Sequence, residues 1–187
     1  MLTLNTKVAF APVIDGELLL PFALREKSRQ RATLISGEEV AVFTVRGTVL
    51  RDGDLLQGSE SDGTLRVVRI IAADEATYKI SCDSPAALLR CAFHLGNRHT
   101  QAQVGSDAGN DARNHTGGGF LRIRRDPVLK DMLAGLGAVV TEETAAFEPE
   151  SGAYSGGGHR HDGEHSGNLL APVPLRQKIH RPSDPVG

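Results

Sequence analysis

The sequence predicts an α+β fold: a small all-β domain, then a βαββαβ unit, then a disordered tail that carries histidines. Three observations predict it. Short alternating apolar segments separated by turn residues fill residues 1–74. Two amphipathic, capped stretches are interleaved with strand-like runs over residues 75–148. From Pro149 onward, over 149–187, hydrophobic periodicity is lost, and such a segment cannot bury enough apolar surface to offset its ordering entropy.

In the first domain Val8-Ala9-Phe10 opens a short strand. Residues 29–34 and 40–45 flank the turn Ser36-Gly37, and Thr48-Val49-Leu50 lies between the turn signals Arg46-Gly47 and Asp52-Gly53-Asp54. Asp62-Gly63 marks a hairpin between Leu55-Leu56 and the run 65–71. Strands at this spacing suggest a small sandwich or open barrel. Arg25, Lys27, Arg29 and Arg31 alternate, so an extended chain would show these cations on one side. That pattern reads as a solvated face, with a patch that docks an acidic partner protein as the functional alternative.

Residues 72–75 make a polar joint, and 77–82 form the first strand of the second unit. The clearest helix of the chain follows. Asp83 or Ser84 can cap it, and Pro85 suits its first turn. Leu88, Cys91, Ala92 and Leu95 share one apolar stripe. Gly96-Asn97 reads as the stop, and Arg98 and His99 come just past it. Were the helix to run on, His99 would continue the stripe; either way it sits at the end of an apolar face. On a continuous helix His94 is rotated from His99 by roughly 140°, so the two cannot close on one ion. Residues 100–104 form the next strand, 105–119 a long flexible loop, and 120–124 an alternating strand. Asp126 caps a second helix with Pro127 in its first turn; Val128, Leu129, Met132, Leu133 and Leu136 make its buried face, and Gly137 ends it. Residues 138–141 are the last strand. The order βαββαβ is that of the ferredoxin-like fold.

A length of 187 residues allows one large domain or two small ones. Aromatic residues are 4% of the chain and Trp is absent, so the core must be aliphatic. The net charge of −2, with signs mixed, gives no global pull toward nucleic acid or anionic membrane. Cys82 and Cys91 have no zinc-like spacing; a disulfide framework is not expected, a reducing compartment fits, and Cys91 reads as a small buried hydrophobe. The N-terminal segment lacks the basic and uninterrupted apolar regions of a secretory signal, and no run approaches a membrane span. A soluble cytoplasmic protein is expected.

No catalytic signature is present: no GxxxxGK[ST], no HExxH, no GxSxG, and the glycine clusters at 117–119 and 156–158 do not open helices after strands. The expectation is a protein that is not an enzyme. Histidine remains. His159, His161 and His165 lie in the tail; neutral imidazole suits Ni²⁺, Cu²⁺ and Zn²⁺, and a flexible segment binds such ions exchangeably, although an incidental polar tail has the same composition. A single histidine past a helix, as at His99, is usually a satisfied surface or core residue. Two copies meeting through the apolar stripe would bring two His99 rings together across a two-fold axis, with water or tail histidines completing the shell. Because imidazole must be neutral to bind, affinity is expected to fall below pH ~6.5. His115 and His180 carry no motif. The rival reading is a ferredoxin-like RNA-binding module, which needs stacked aromatics on its central strands, where this chain offers only Phe120.

The helix-end motif HLGNRH, His94 to His99, resembles that of the UreE-type urease accessory proteins. So do Leu24-Arg25 with Lys27-Ser28-Arg29, Arg46-Gly47-Thr48-Val49-Leu50, Asp52-Gly53-Asp54, Arg124-Arg125-Asp126-Pro127-Val128-Leu129, Leu136-Gly137-Ala138, and Phe147-Glu148-Pro149-Glu150 followed by Gly152-Ala153-Tyr154. The resemblance covers about residues 15–165 in the same order. It implies a nickel metallochaperone with an N-terminal β domain of a partner- or peptide-binding type and a homodimer built through the ferredoxin-like domain. His99 would be the interface nickel ligand, and His159, His161 and His165 would correspond to a His-rich nickel reservoir. Zinc or copper could substitute. The implied partners are the urease apoprotein complex and its GTP-binding accessory protein, with no nucleic acid and no membrane. The chain departs from the family in three places, one of them the loop 105–119, which looks longer than usual. Some members carry His-Asp-His where this chain has Arg125-Asp126-Pro127, which bears against a second internal site. The tail is also sparse in histidine, so its storage capacity should be low.

Overall fold

The computed structural model describes residues 1–106 and 118–151. The expected loop centre and the expected disordered tail beyond Ser151, and with them His115, His159, His161, His165 and His180, lie outside the described residues, whereas Pro149, Glu150 and Ser151, expected in that tail, are described and hydrogen-bonded to the rest of the chain.

The N-terminal part holds β1 (Leu2–Val8), β2 (Gly16–Leu20), the short helix α1 (Phe22–Arg25), β3 (Arg29–Thr33), β4 (Glu39–Phe43), β5 (Leu55–Ser59) and β6 (Leu65–Ala72). These strands form one mixed sheet in the order β2-β6-β5-β1-β4-β3, and its two edges approach each other where the Ile35 N–H, just past β3, donates to the Glu17 carbonyl of β2 at 2.9 Å, as in the expected open barrel. Strand β1 pairs antiparallel with β5 on one side and parallel with β4 on the other, joining both halves into one ladder. The first strand lies earlier than expected, because Leu2 and Leu4 alternate into the core whereas Phe10 is exposed. Leu18 and Leu20 of β2, Val40 and Val42 of β4, Leu56 of β5, and Val68 and Ile70 of β6 complete one aliphatic cluster with them. The hairpin at Asp62-Gly63 is present, with Gly63 at φ +89° and the Thr64 N–H donating to Asp62 Oδ1 at 2.9 Å. The expected strand at residues 48–50 is absent. Both backbone groups of Leu50 are engaged by Arg25: its N–H donates to the Arg25 carbonyl at 3.0 Å, and its carbonyl accepts from Arg25 Nη1 at 3.2 Å.

The C-terminal part holds β7 (Asp74–Ser81), α2 (Pro85–Asn97), β8 (Gln103–Ser106), β9 (Gly119–Arg124), α3 (Pro127–Gly135) and β10 (Val139–Ala146). Its sheet runs β10-β7-β9-β8, and every neighbouring pair is antiparallel. Alternate residues Tyr78 and Ile80 of β7 and Leu121 and Ile123 of β9 meet Cys91 and Leu95 of α2 and Leu133 of α3 in a second core. Val128 departs from the expected buried face of α3 and is 77% exposed; the burial falls on Leu133, with Leu129, Met132 and Leu136 partly covered. The joint expected at 72–75 contracts to Ala73, whose N–H donates to the Leu20 carbonyl at 3.0 Å, so β6 passes almost directly into β7.

Lys27, Arg29 and Arg31 are exposed, as a solvated face requires. Arg25 is not part of that face. It ends α1, which breaks the extended run, and its side chain is wholly buried. Nε donates to the Leu20 carbonyl at 3.1 Å, Nη2 to the Phe147 carbonyl at 2.6 Å, and Nη1 to both the Leu50 carbonyl and the Glu148 carboxylate. Arg51 reaches the other oxygen of Glu148 at 3.1 Å and the Pro149 carbonyl at 2.8 Å. The segment after β10 is thereby fastened to the N-terminal sheet.

Removing one partner of a buried, hydrogen-bonded ion pair costs about 3–5 kcal/mol. Arg25→Ala is expected to lose stability on that scale in urea unfolding. Arg25→Lys should recover little of it, since an ammonium cannot reproduce the guanidinium fork. At Gly58 of β5 an added Cβ would lie 2.1 Å from the Thr3 carbonyl oxygen, so Gly58→Ala should lower the unfolding free energy by about 1–3 kcal/mol in the same assay.

Candidate metal site

The helix α2 begins as its sequence dictates. Ser84 is the cap, its hydroxyl accepting from the Ala87 N–H at 3.3 Å, and Pro85 opens the first turn. Its end differs from expectation. The helix continues through Gly96 and Asn97, Arg98 takes the C-cap, and His99 adopts the left-handed backbone at φ +54°. The His99 N–H donates to the Gly96 carbonyl at 2.9 Å and the Thr100 N–H to the Leu95 carbonyl at 3.1 Å. This pair of reversed bonds is the Schellman closure. Helix α3 closes the same way, with Gly137 at φ +87°, its N–H on the Ala134 carbonyl at 2.9 Å and the Ala138 N–H on the Leu133 carbonyl at 3.1 Å. One helix uses the glycine such a turn favours. The other places an imidazole there, in a conformation that costs an L-residue about 1–2 kcal/mol.

His99 is exposed and borders two clefts. The larger, about 1020 Å³, lies between the end of α2 and the segment bearing Arg46, Thr48 and Arg51. The smaller, about 470 Å³, lies toward Arg124, Arg125 and Asp126. In that second cleft Asp126 Oδ1 is occupied as the α3 cap, accepting from the Val128 and Leu129 N–H groups at 2.9 and 3.1 Å. Arg125 pairs with Glu142 at 3.4 Å, and neither it nor Pro127 offers a lone pair to a metal. His94 is half-buried, with its ring edge-on to Phe93 at 5.5 Å. Among the described residues there is no group of three or more His, Cys, Asp or Glu side chains able to hold an ion.

The stripe expected to join two copies is spent within the chain. Cys91 and Leu95 are buried against the sheet, with Leu88 and Ala92 beside them. A different face of α2 is open: Leu89 is 70% and Phe93 64% exposed, and Gly96, one turn further on, leaves open space where a Cβ would stand.

The RNA-binding alternative needs Phe120 as a stacking platform, and that ring is covered. It is 9% exposed, lies against the backbone of Gly105 on the neighbouring strand, and carries Lys79 Nζ at 4.6 Å and the Arg122 guanidinium at 5.1 Å from its centre.

Comparison with known proteins now adds to this geometry. Residues 7–73 match the family model of the UreE urease accessory protein N-terminal domain, and residues 75–169 match that of its C-terminal domain. The chain belongs to the UreE urease accessory protein family. It is 64% identical over 184 residues to the urease accessory protein UreE of Janthinobacterium sp. (strain Marseille), covering 98% of each chain. It is 57% identical over 188 residues to that of Nitrosospira multiformis, again covering 98% of each. With the Alkalilimnicola ehrlichii protein it shares 48% over 156 residues, 83% of this chain and 86% of the other.

Several sequence segments that resemble the family converge in space. Arg25, Leu50 and Glu148 come from three separate motifs and meet, with Arg51 from between two of them, in one hydrogen-bonded clamp. Reading the sequence alone missed that role for Arg25. The available signal was its position among Leu20, Phe22 and Leu24, an apolar setting where a cation needs a partner.

Because glycine takes the left-handed conformation without the Cβ penalty, His99→Gly should raise the unfolding free energy of the metal-free protein by about 0.5–1 kcal/mol. Gly137→Ala should lower it by about 1 kcal/mol. Urea unfolding of both variants beside the wild type checks the pair; equal shifts of one sign would refute the contrast.

Proposed function

We propose that this protein is a non-catalytic nickel carrier of urease maturation, with His99 as the ligand that holds the transferred ion. The observation that carries the reading is the exposed imidazole of His99 at the left-handed helix end, in a chain of the urease accessory family. Nickel accepts imidazole nitrogen readily, and one imidazole does not make a site. A homodimer supplies the second: two chains meeting through the open Leu89, Phe93 and Gly96 face of α2 would bring the two helix ends together across a two-fold axis. His159, His161 and His165 act as an exchangeable reservoir feeding that pair. Zinc or copper would compete for the same nitrogens. The β10-β7-β9-β8 antiparallel order supports reading the C-terminal part, residues 75–148, as ferredoxin-like, after a β domain at 1–74 of the partner-binding type and before the tail at 149–187. Delivery runs to the urease apoprotein complex together with its GTP-binding accessory protein, in the cytoplasm. No helix among the described residues is long and apolar enough to cross a membrane, which is compatible with that location.

Nickel calorimetry on the wild type, His99→Ala and a truncation after Glu150 tests the assignment. Truncation should lower the number of ions bound per dimer and leave one site. His99→Ala should abolish that remaining site in the truncated protein. An unchanged titration for His99→Ala defeats the reading. Phe93→Glu should convert the dimer to monomer in light scattering and weaken nickel binding at least about tenfold, because the second imidazole leaves with the partner.

A further inference from the structure

Cys82 and Cys91 have no part in the site above. Cys82 follows the last residue of β7, in the short segment before the α2 cap, and Cys91 lies on the buried face of α2. Both are free thiols, and their Sγ atoms stand 3.9 Å apart. A disulfide needs that separation to fall to about 2.05 Å. Residues 82 and 83 lie between β7 and the Ser84 cap of α2, so the approach can be made by side-chain rotation and a small movement of these two residues without breaking a strand or helix bond. The two thiols differ in access. Cys82 is partly exposed and Cys91 fully buried.

We propose that Cys82 and Cys91 are a thiol pair that small-molecule disulfides oxidise reversibly to an intrachain disulfide, with Cys82 attacking and Cys91 resolving. The Cys82 thiolate attacks one sulfur of the reagent, RSSR. The reagent's S–S bond breaks, RS⁻ leaves with the bonding pair, and Cys82 becomes a mixed disulfide. The Cys91 sulfur, giving up its proton, then attacks Cys82 Sγ and expels the second RS⁻. The two cysteine protons end on the two leaving thiolates, so two thiols and RSSR become one protein disulfide and two RSH. Access fixes the order, since solvent-borne reagent meets Cys82 first. Burial, reinforced by the Cys82 thiol beside it, pushes Cys91 up to about 11, which keeps it inert toward outside reagents until a sulfur electrophile stands next to it. Closing the bond ties α2, which bears His99 at its far end, to the end of β7. In a reducing compartment the reverse exchange reopens it.

The test is exposure of the full-length chain to oxidised glutathione, followed by acid quench, intact-mass measurement and free-thiol titration. The wild type is expected to lose both thiols and retain no glutathione, and to regain both with dithiothreitol. Cys91→Ser should accumulate one glutathione on the remaining cysteine. Cys82→Ser should react at least about tenfold more slowly than the wild type. A wild type that stays reduced, ends as a stable glutathione adduct, or links two chains overturns the proposal. Equal reactivity of Cys82→Ser overturns the order assigned to the two residues. The wild-type measurement stands on its own should the serine at position 91 disturb the core.

Discussion

The buried guanidinium of Arg25 ties the segment after β10 to the N-terminal part of the chain. A cation removed from water costs several kcal/mol unless its donors are satisfied, and here they are spread over both parts of the chain. Leu20 and Leu50 supply carbonyls from the N-terminal side; Phe147 supplies a carbonyl and Glu148 a carboxylate from the segment after β10. The same centre gathers aromatic contacts, with Phe22 facing the Arg25 cation at 5.3 Å and meeting Phe147 edge-on at 5.6 Å. Arg51 extends the clamp to Ser151, its Nη2 donating to the hydroxyl at 2.8 Å. Arg51 and Ser151 both line the larger cleft beside His99, so the wall of that cleft depends on a charge that is itself out of sight. Lysine could supply the charge but not the planar fork that reaches carbonyls in several directions.

The two helices of the C-terminal part share one closing geometry and differ in the residue that bears it. Gly137 adopts the left-handed turn without the Cβ penalty, whereas His99 accepts strain that a glycine would avoid. The strained backbone leaves a metal-competent side chain exposed to solvent, whereas helical continuation would have laid it along a covered stripe. Stability is given up at one position and kept at the other; under the proposed reading the imidazole's chemistry is what that strain serves, the pattern expected where function and folding compete for a residue.

What could be read from the sequence follows the range of the forces involved. Ser84, Pro85, Asp126, Pro127 and the Asp62-Gly63 hairpin act through bonds a few residues long, and each stands where the sequence puts it. The order of elements in the C-terminal part is legible for the same reason. The end of α2 is not, because Gly96 and Asn97 have ordinary stop chemistry and the choice among Gly96, Asn97 and His99 rests on how Leu95 seats in the core. Arg25 escapes local reading altogether. Its partner Glu148 lies 123 residues away, and a basic residue in an alternating run looks like surface until the short helix α1 turns it inward. The position of β1 fails similarly: the burial of Leu2 and Leu4 comes from β4 and β5, which the first residues of the chain cannot announce. His99 itself was legible as a residue at a helix end, but not its exposure or its backbone strain.

A carrier must hold its ion and also let it go, and the geometry at His99 bears on both. A site closed by four ligands from one rigid chain retains its metal, because each ligand that dissociates is held in place to rebind. At the end of α2 the described chain offers a single imidazole on a strained, solvent-facing turn, with open cleft on two sides. Under the proposed reading the remaining ligands come from a second copy, the tail or water, each tethered independently. An incoming nitrogen or carboxylate then has a direction of approach, and it can bind before the last protein ligand departs. Ligand exchange proceeds stepwise in such a site without unfolding either core, so the clamp at Arg25 can stay closed while the ion moves.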